Sequence, residues 1–292
     1  MWATDCLSPE AYYDNANAAS TRARESHTPV MLYNSDDESG VMALAQWAHE
    51  LTDILINNRL SLNCQPVVAT GDDARTPLYY EILLHPSAND EKIATRELID
   101  VAERLQRITE IDRWVMRNVM QWMRDHVEQV EKLGGLAINL SGQSVTNPLF
   151  LKFILSELAV GDIPGEKLIF EISEADAMDS HAQTQLFMRQ LHRHGCRFTL
   201  DEFGAGYSSF TRLKGMKLDY LKIDRTLVRE VTSSMIDEAL VRSILETGSF
   251  LDIKTVAGYV ENEETLTKLG EMGVDCMQGY LIGEPVGLET LA

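Results

Sequence analysis

The chain alternates between two kinds of stretch. Short runs of branched and aromatic residues are separated by longer segments in which apolar residues recur every three or four positions. The first helical pattern runs from Val41 to Asn58 and places Leu44, Trp47, Leu51, Ile54 and Leu55 on one side. Ser61 to Val68 and Leu78 to Leu84 read as strands on either side of a turn at Gly71-Asp72-Asp73, so close together that they predict an antiparallel hairpin. Helical patterns follow at about 95–106 and 109–132; the second carries Ile111, Val115 and Trp122 on one side and ends at Gly134-Gly135. From there strand and helix alternate. Strands are expected at 136–140, 167–172, 197–201, 217–223, 253–257 and 276–280, with helices at 148–159, 181–194, 234–248 and 262–272.

Such alternation with short connections is the pattern of βα units around a parallel sheet. About eight strands in roughly 230 residues suit a modified TIM-type (β/α)8 barrel in the α/β class, with the hairpin supplying one antiparallel strand. Residues 1–40 break the pattern. Ser8 to Arg24 is a short helical stretch, Pro29 to Tyr33 a candidate strand, and Asn34 to Gly40 a polar linker. One helix and one edge strand cannot bury a core. Residues 1–40 are therefore expected to be the remnant of a preceding domain with its linker, and 41–292 the main domain.

Composition narrows the choices. The 292 residues are 45% hydrophobic and 24% charged, as in an ordinary soluble globular protein. No run of about 18 apolar residues exists, so no membrane span is expected. The first residues lack a basic region followed by an apolar core, which makes a cytoplasmic location the default expectation. A net charge of −19 argues against nonspecific binding to duplex nucleic acid. An anionic small ligand would need local cations or a bound metal. Cys6, Cys64, Cys196 and Cys276 are far apart with no CxxC pair, and read as buried reduced thiols.

Almost every expected strand carries one polar residue near its C-terminal end: Glu81, Asn139, Glu171, Asp201, Lys222 and Gln278. Phe198 to Asp201 runs straight into Glu202 and then a turn at Gly204 and Gly206. In a barrel these strand ends ring one mouth. Acids and an amide oxygen there suit a hard cation such as Mg²⁺, Mn²⁺ or Ca²⁺. A lysine among them could hold a phosphate or orient a water. Two metals about 3.5–4 Å apart would suit phosphodiester hydrolysis. The plainer alternative is that the acids meet water, Lys222 pairs one carboxylate and Asn139 caps a helix.

These residues carry a resemblance. Tyr80-Glu-Ile-Leu-Leu84 resembles the signature of EAL domains, the phosphodiesterases for cyclic di-GMP. Further landmarks match in order: Gln65-Pro-Val, Ile111-Asp-Arg-Trp-Val115, Asn139-Leu-Ser, Phe170-Glu-Ile-Ser-Glu174, Asp201-Glu-Phe-Gly-Ala-Gly-Tyr-Ser-Ser, Leu221-Lys-Ile-Asp224 and Gln278-Gly-Tyr280. The resemblance spans about residues 45 to 288, and residues 1–35 resemble the tail of a GGDEF domain. It implies a barrel with one antiparallel strand. It also implies one metal held by Glu81, Asn139, Glu171 and Asp201, and a second held by Asp201 and its neighbour. Lys222 would position the water or its partners. The implied reaction is linearisation of cyclic di-GMP to pGpG by in-line attack of metal-activated water, with Mg²⁺ or Mn²⁺ needed only for that reaction. The implied ligand contacts are Gln65, Glu81, Leu84, His85, Asp112, Asn139, Tyr259, Glu261, Gln278 and Pro285.

The sequence also departs from the family. The usual aspartate pair is Asp201-Glu202, and a shift of about 1 Å in a catalytic group can cost about 100-fold. The segment AEGVE appears as Ala257-Gly-Tyr-Val-Glu261, with Gly258 in the place of a catalytic glutamate. Glycine neither ligates a metal nor takes a proton, and losing a general base typically costs about 10²–10⁴ in rate. Tyr259 replaces a glycine with a ring that could stack on guanine. His85 stands where the family has a phosphate-binding arginine, a weaker and pH-dependent contact. These departures resemble the degenerate, FimX-type receptors, which bind cyclic di-GMP without metal and regulate type IV pili and twitching. The first expectation is therefore a catalytically impaired receptor signalling through a PilZ-type or other protein partner, with a homodimer common in the family. The alternatives are a working phosphodiesterase in which Lys222, Glu202 and Glu261 are catalytic, and a protein-interaction scaffold with a vestigial pocket.

Overall fold

A computed structural model describes residues 37–71, 76–87, 94–160, 162–204, 210–213 and 215–292, with 37–46, 210 and 211 described by backbone alone. The chain divides into two compact units, Met1–Glu50 and Leu51–Ala292. The expected helix and strand of residues 1–33 lie outside the described residues. Asp37–Gly40, read from sequence as linker, are helical, because the helix Asp37–Ile56 begins earlier than its apolar stripe.

Among its described residues the second unit has nine strands: β1 (Leu60–Ala69), β2 (Pro77–Pro86), β3 (Leu136–Leu140), β4 (Leu168–Ser173), β5 (Arg197–Phe203), β6 (Tyr220–Ile223), β7 (Lys254–Ala257), β8 (Cys276–Met277) and β9 (Val286–Gly287). β2 to β8 are joined in order by parallel pairings. β1 closes the ring, running antiparallel to both β2 and β8. The result is a closed eight-stranded barrel with one reversed strand, as the hairpin pattern implied. β9 was not foreseen. It is a two-residue strand outside the ring that covers Asn63 and Cys64 of β1.

The barrel axis is filled in tiers, because inward positions recur every second residue along a strand. One tier is apolar. Val67, Tyr79, Ala137, Ile169, Tyr220, Val256 and Cys276 are buried and form one cluster, and the rings of Tyr79 and Tyr220 meet at 5.1 Å between centroids. The next inward position toward the mouth is Gln65 on reversed β1, then Glu81, Asn139, Glu171, Lys222, Gly258 and Gln278. On β5 the same step leads from buried Thr199 to Asp201.

A third position on the same strands starts the next helix. Two residues beyond Asn139, Glu171 and Lys222 stand Ser141, Ser173 and Asp224. Each side chain accepts a backbone N–H of the following helix, from Ser144, Asp176 and Thr226. The three strands thus end in one local code, a polar residue aimed inward and a capping residue that turns the chain.

Several boundaries differ from the sequence expectation. The pattern at 109–132 is two helices, Ile108–Asp125 and Val127–Lys132, broken at His126, whose backbone leaves the helical region. The last barrel strand stops at Met277, and Gln278 lies just past it. Its partner β1 is bonded to it only through Val68 and Ala69. Cys64, Cys196 and Cys276 are buried free thiols. Burial pushes them up to about 11, 12 and 12, which makes them inert packing groups. Among the described residues no helix is long and apolar enough to cross a membrane.

Candidate functional site

The polar tier converges on Lys222. Its ammonium lies 2.8 Å from Glu81 Oε2, 2.9 Å from Glu171 Oε2 and 3.5 Å from Asp201 Oδ2. Asn139 Nδ2 donates to Glu81 Oε1 at 2.8 Å, and Gln278 Nε2 donates to Glu81 Oε2 at 2.7 Å. Gln278 also reaches Gln65 Oε1 at 3.2 Å, while Gln65 donates to the Gly283 carbonyl at 3.0 Å. Register places these partners side by side: Gln65 pairs with Glu81 across β1–β2, and Asn139 with Glu171 across β3–β4.

One ammonium cannot neutralise three carboxyls. Burial works against a charge on Glu81, but the Lys222 charge and the hydrogen bonds from Lys222, Asn139 and Gln278 outweigh it and hold its carboxyl below the usual range. Burial also opposes the Lys222 charge, yet Asp201, Glu171 and Glu81 raise its pKa well above normal. Glu171 goes the other way. Burial pushes it up to about 8 against the pull of Lys222, with Glu81 and Asp201 adding to the rise. The stable arrangement is a charged Glu81–Lys222 pair beside a Glu171 that keeps its proton near neutrality. Glu171 Oε1 is buried with no hydrogen-bond partner.

Two cavities open from this cluster and share Leu83, Asp201 and Glu202. The first, about 330 Å³, is bounded by Gln65, Lys222, Arg225, Gly258, Tyr259 and Glu261 among others. The second, about 440 Å³, has apolar walls from Leu84, Ile99, Ile111 and Val115, with Asp112, Asn139 and Glu171 as polar groups. Asp112 is buried, and its Oδ2 accepts from Ser141 N at 3.1 Å and Ser141 Oγ at 2.6 Å. Burial raises its pKa in spite of those bonds.

The sequence-derived residues therefore divide. Gln65, Glu81, Lys222, Tyr259, Glu261, Gln278 and Pro285 line the first cavity; Leu84, Asp112, Asn139 and Glu171 line the second; Asp201 and Glu202 line both. His85 is brought to neither. It is exposed, and its Nδ1 sits 2.8 Å from the Pro86 carbonyl. Arg225 and Ser141 were not singled out from sequence. Arg225 begins the helix Arg225–Glu230 and was hidden behind the Lys222 signal, whereas Ser141 was legible only as part of Asn139-Leu-Ser.

The oxygen donors of Glu81, Asn139, Glu171 and Asp201 suit a hard divalent cation, and the partnerless Glu171 oxygen is a free donor. Their present arrangement is centred on the Lys222 ammonium instead. Among the described residues no three His, Cys, Asp or Glu side chains are gathered at metal-holding spacing.

The geometry defines a barrel protein with an oxygen-rich, lysine-centred polar cluster, flanked by two cavities, at the C-terminal mouth of its strands. The chain belongs to the EAL-domain family, whose pattern it matches over residues 48–285. It is 35% identical over 238 residues to the cyclic di-GMP phosphodiesterase PdeF of Escherichia coli K12, covering 81% of this chain and 31% of that protein. It is 31% identical over 245 residues to the cyclic di-GMP phosphodiesterase PdeB of Shewanella oneidensis, covering 84% of this chain and 28% of that protein. The chain thus spans about a third of the length of these curated relatives. Among solved structures it resembles the PaMucR phosphodiesterase in its c-di-GMP complex, with a TM-score of 0.78 and 28% identity over 85% of this chain and all of that one. The Xanthomonas citri FimX EAL domain in complex with c-diGMP shares the fold, with a TM-score of 0.76 and 23% identity over 86% of this chain and 97% of that one.

Proposed function

We propose that this EAL domain binds cyclic di-GMP across the two joined cavities, with its hydrolytic step impaired, and acts as a receptor that reports the nucleotide to a protein partner. One observation carries the reading: the inward position just past the end of β7, beside Lys222, is Gly258. A Cβ built there would meet only Lys222 Cε, at 3.7 Å, so the site has room for a side chain and presents none. In the family that position is a catalytic glutamate. The remaining groups bind and orient. Lys222 holds Glu81 and Glu171 in place, and Gln278 ties Glu81 to Gln65. Glu202 is an imperfect substitute for that glutamate, because it stands at the end of β5, with β6 between it and the β7 end that carries Gly258. Burial, then Asp201 and Asp224, raise its pKa. A divalent cation held by Glu81, Asn139, Glu171 and Asp201 would supply Lewis acidity to phosphodiester cleavage when bound.

A second reading has its own support. Glu261 lines the same cavity as Gly258, and the two relatives above carry phosphodiesterase names. In that reading Glu261 supplies the missing carboxylate and the domain turns over. Comparing the native chain with Gly258→Glu separates the two. The receptor reading expects a gain of about 100-fold or more in pGpG formation; the enzyme reading expects little change from an already substantial rate. Calorimetric binding of cyclic di-GMP by the native chain is expected in both.

A further inference from the structure

Among the described residues five non-glycine residues have left-handed backbone: Asn58, Gln106, Glu202, Asp252 and Tyr259. Asn58 and Gln106 lie within two residues of a helix end and Asp252 is a helix cap, where this conformation is ordinary. The other two, Glu202 and Tyr259, both line the first cavity. Tyr259 adopts φ +58° and is 49% exposed as a residue, a costly backbone on which to hold a large side chain partly in solvent. The Arg225 guanidinium lies over that ring, 5.7 Å from its centroid.

Charge singles out Arg225. Lys222 and Arg225 are the cations among the described residues lining this cavity. Lys222 is committed to three carboxyl groups, those of Glu81, Glu171 and Asp201. Arg225 is exposed and, among the described residues, takes part in no hydrogen bond or ion pair; its charge reaches Glu202 across the same wall. An anionic ligand entering a cavity bordered by Glu81, Asp201, Glu202, Asp224 and Glu261 therefore has one uncommitted positive group to meet. The ring beside it offers a face that suits a flat base.

We propose that Arg225 and Tyr259 form a single recognition element for a purine nucleotide, the ring stacking on the base and the guanidinium, steadied by the ring, contacting the adjacent phosphate. This rests on the proposed binding of cyclic di-GMP, for which the sequence already pointed to Tyr259, and adds Arg225 as the phosphate contact coupled to that ring.

The test is titration of cyclic di-GMP into the native chain and into Arg225→Ala, Arg225→Lys, Tyr259→Gly and Tyr259→Phe, at low and at high salt. Glycine at position 259 relieves the left-handed backbone, so that variant should fold at least as well as the native chain. Arg225→Ala and Tyr259→Gly should each weaken binding about tenfold. Tyr259→Phe should stay within about twofold, because the ring face is kept. Arg225→Ala should also flatten the salt dependence of Kd, an effect that a merely structural role would not produce, and Arg225→Lys should restore that dependence. The double variant should lose less than the two single losses multiplied, because each residue supports the other. Native binding with both single variants within twofold of it would overturn this proposal and leave the receptor reading standing. Absence of native binding would overturn both.

Discussion

Two tiers of the same barrel, one residue pair apart, behave in opposite ways. The lower tier of Val67, Tyr79, Ala137, Ile169, Tyr220, Val256 and Cys276 is apolar and closely packed. In the tier above it Gln65, Glu81, Glu171, Lys222 and Gln278 are buried too, but they are charges and amides, and Asn139 and Asp201 beside them open to the mouth. The lower tier gains by leaving water. The upper tier loses by it and survives because each charge has a partner. The strand repeat of two thus sets fold and site in one register, and a slip of one residue would destroy both.

The comparison predicts where damage is greatest. Lys222→Met should be the most destabilising change, by about 3–5 kcal/mol in urea unfolding, because it leaves buried carboxyls without their cation. Ile169→Ala in the lower tier should cost about 2–5 kcal/mol by opening a cavity. It should leave the nucleotide Kd nearly unchanged, since Ile169 lies outside both cavities. Equal effects of the two variants on Kd would erase the distinction between tiers.

Glu171 gives a smaller, pH-dependent effect. Its folded pKa of about 8 lies above the ordinary carboxylate value of 4.5. The folded chain therefore keeps a proton that the unfolded chain releases. The stability this contributes is full below about 4.5 and is lost as pH rises through about 8. Glu171→Gln, which stays neutral, should flatten the stability profile over that window. If Mn²⁺ binds, it should displace this proton, so its affinity should rise from pH 6 to about 8; isothermal titration in buffers of different ionisation enthalpy would count the proton. A profile unchanged by Glu171→Gln would mean the carboxyl is already ionised in the fold.

The barrel was legible because its strands are short apolar runs with turn residues between them, and because polar residues recur at their ends. The reversed strand followed from the short stretch of sequence between the two expected strands, too short for a crossover helix. The ring of Glu81, Asn139, Glu171, Asp201, Lys222 and Gln278 was legible for the same reason. Three things were not. β9 has two residues and no alternation to detect. The break at His126 does not interrupt the apolar spacing around it, so periodicity runs straight through. Arg225 looks like any exposed helix-start residue until Tyr259 is seen beneath its guanidinium, 34 positions along the chain. His85 is the opposite case, singled out in the sequence but lining neither cavity. Motif position suggested a ligand contact, but His85 lies beyond Glu81 and Leu83 at the end of β2 and is exposed.

The most direct measurement follows cyclic di-GMP binding and pGpG formation together in one sample of the native chain, with and without Mn²⁺. The account predicts saturable binding in both conditions, with the nucleotide recovered intact after prolonged incubation. Rapid, manganese-dependent conversion to pGpG would contradict it.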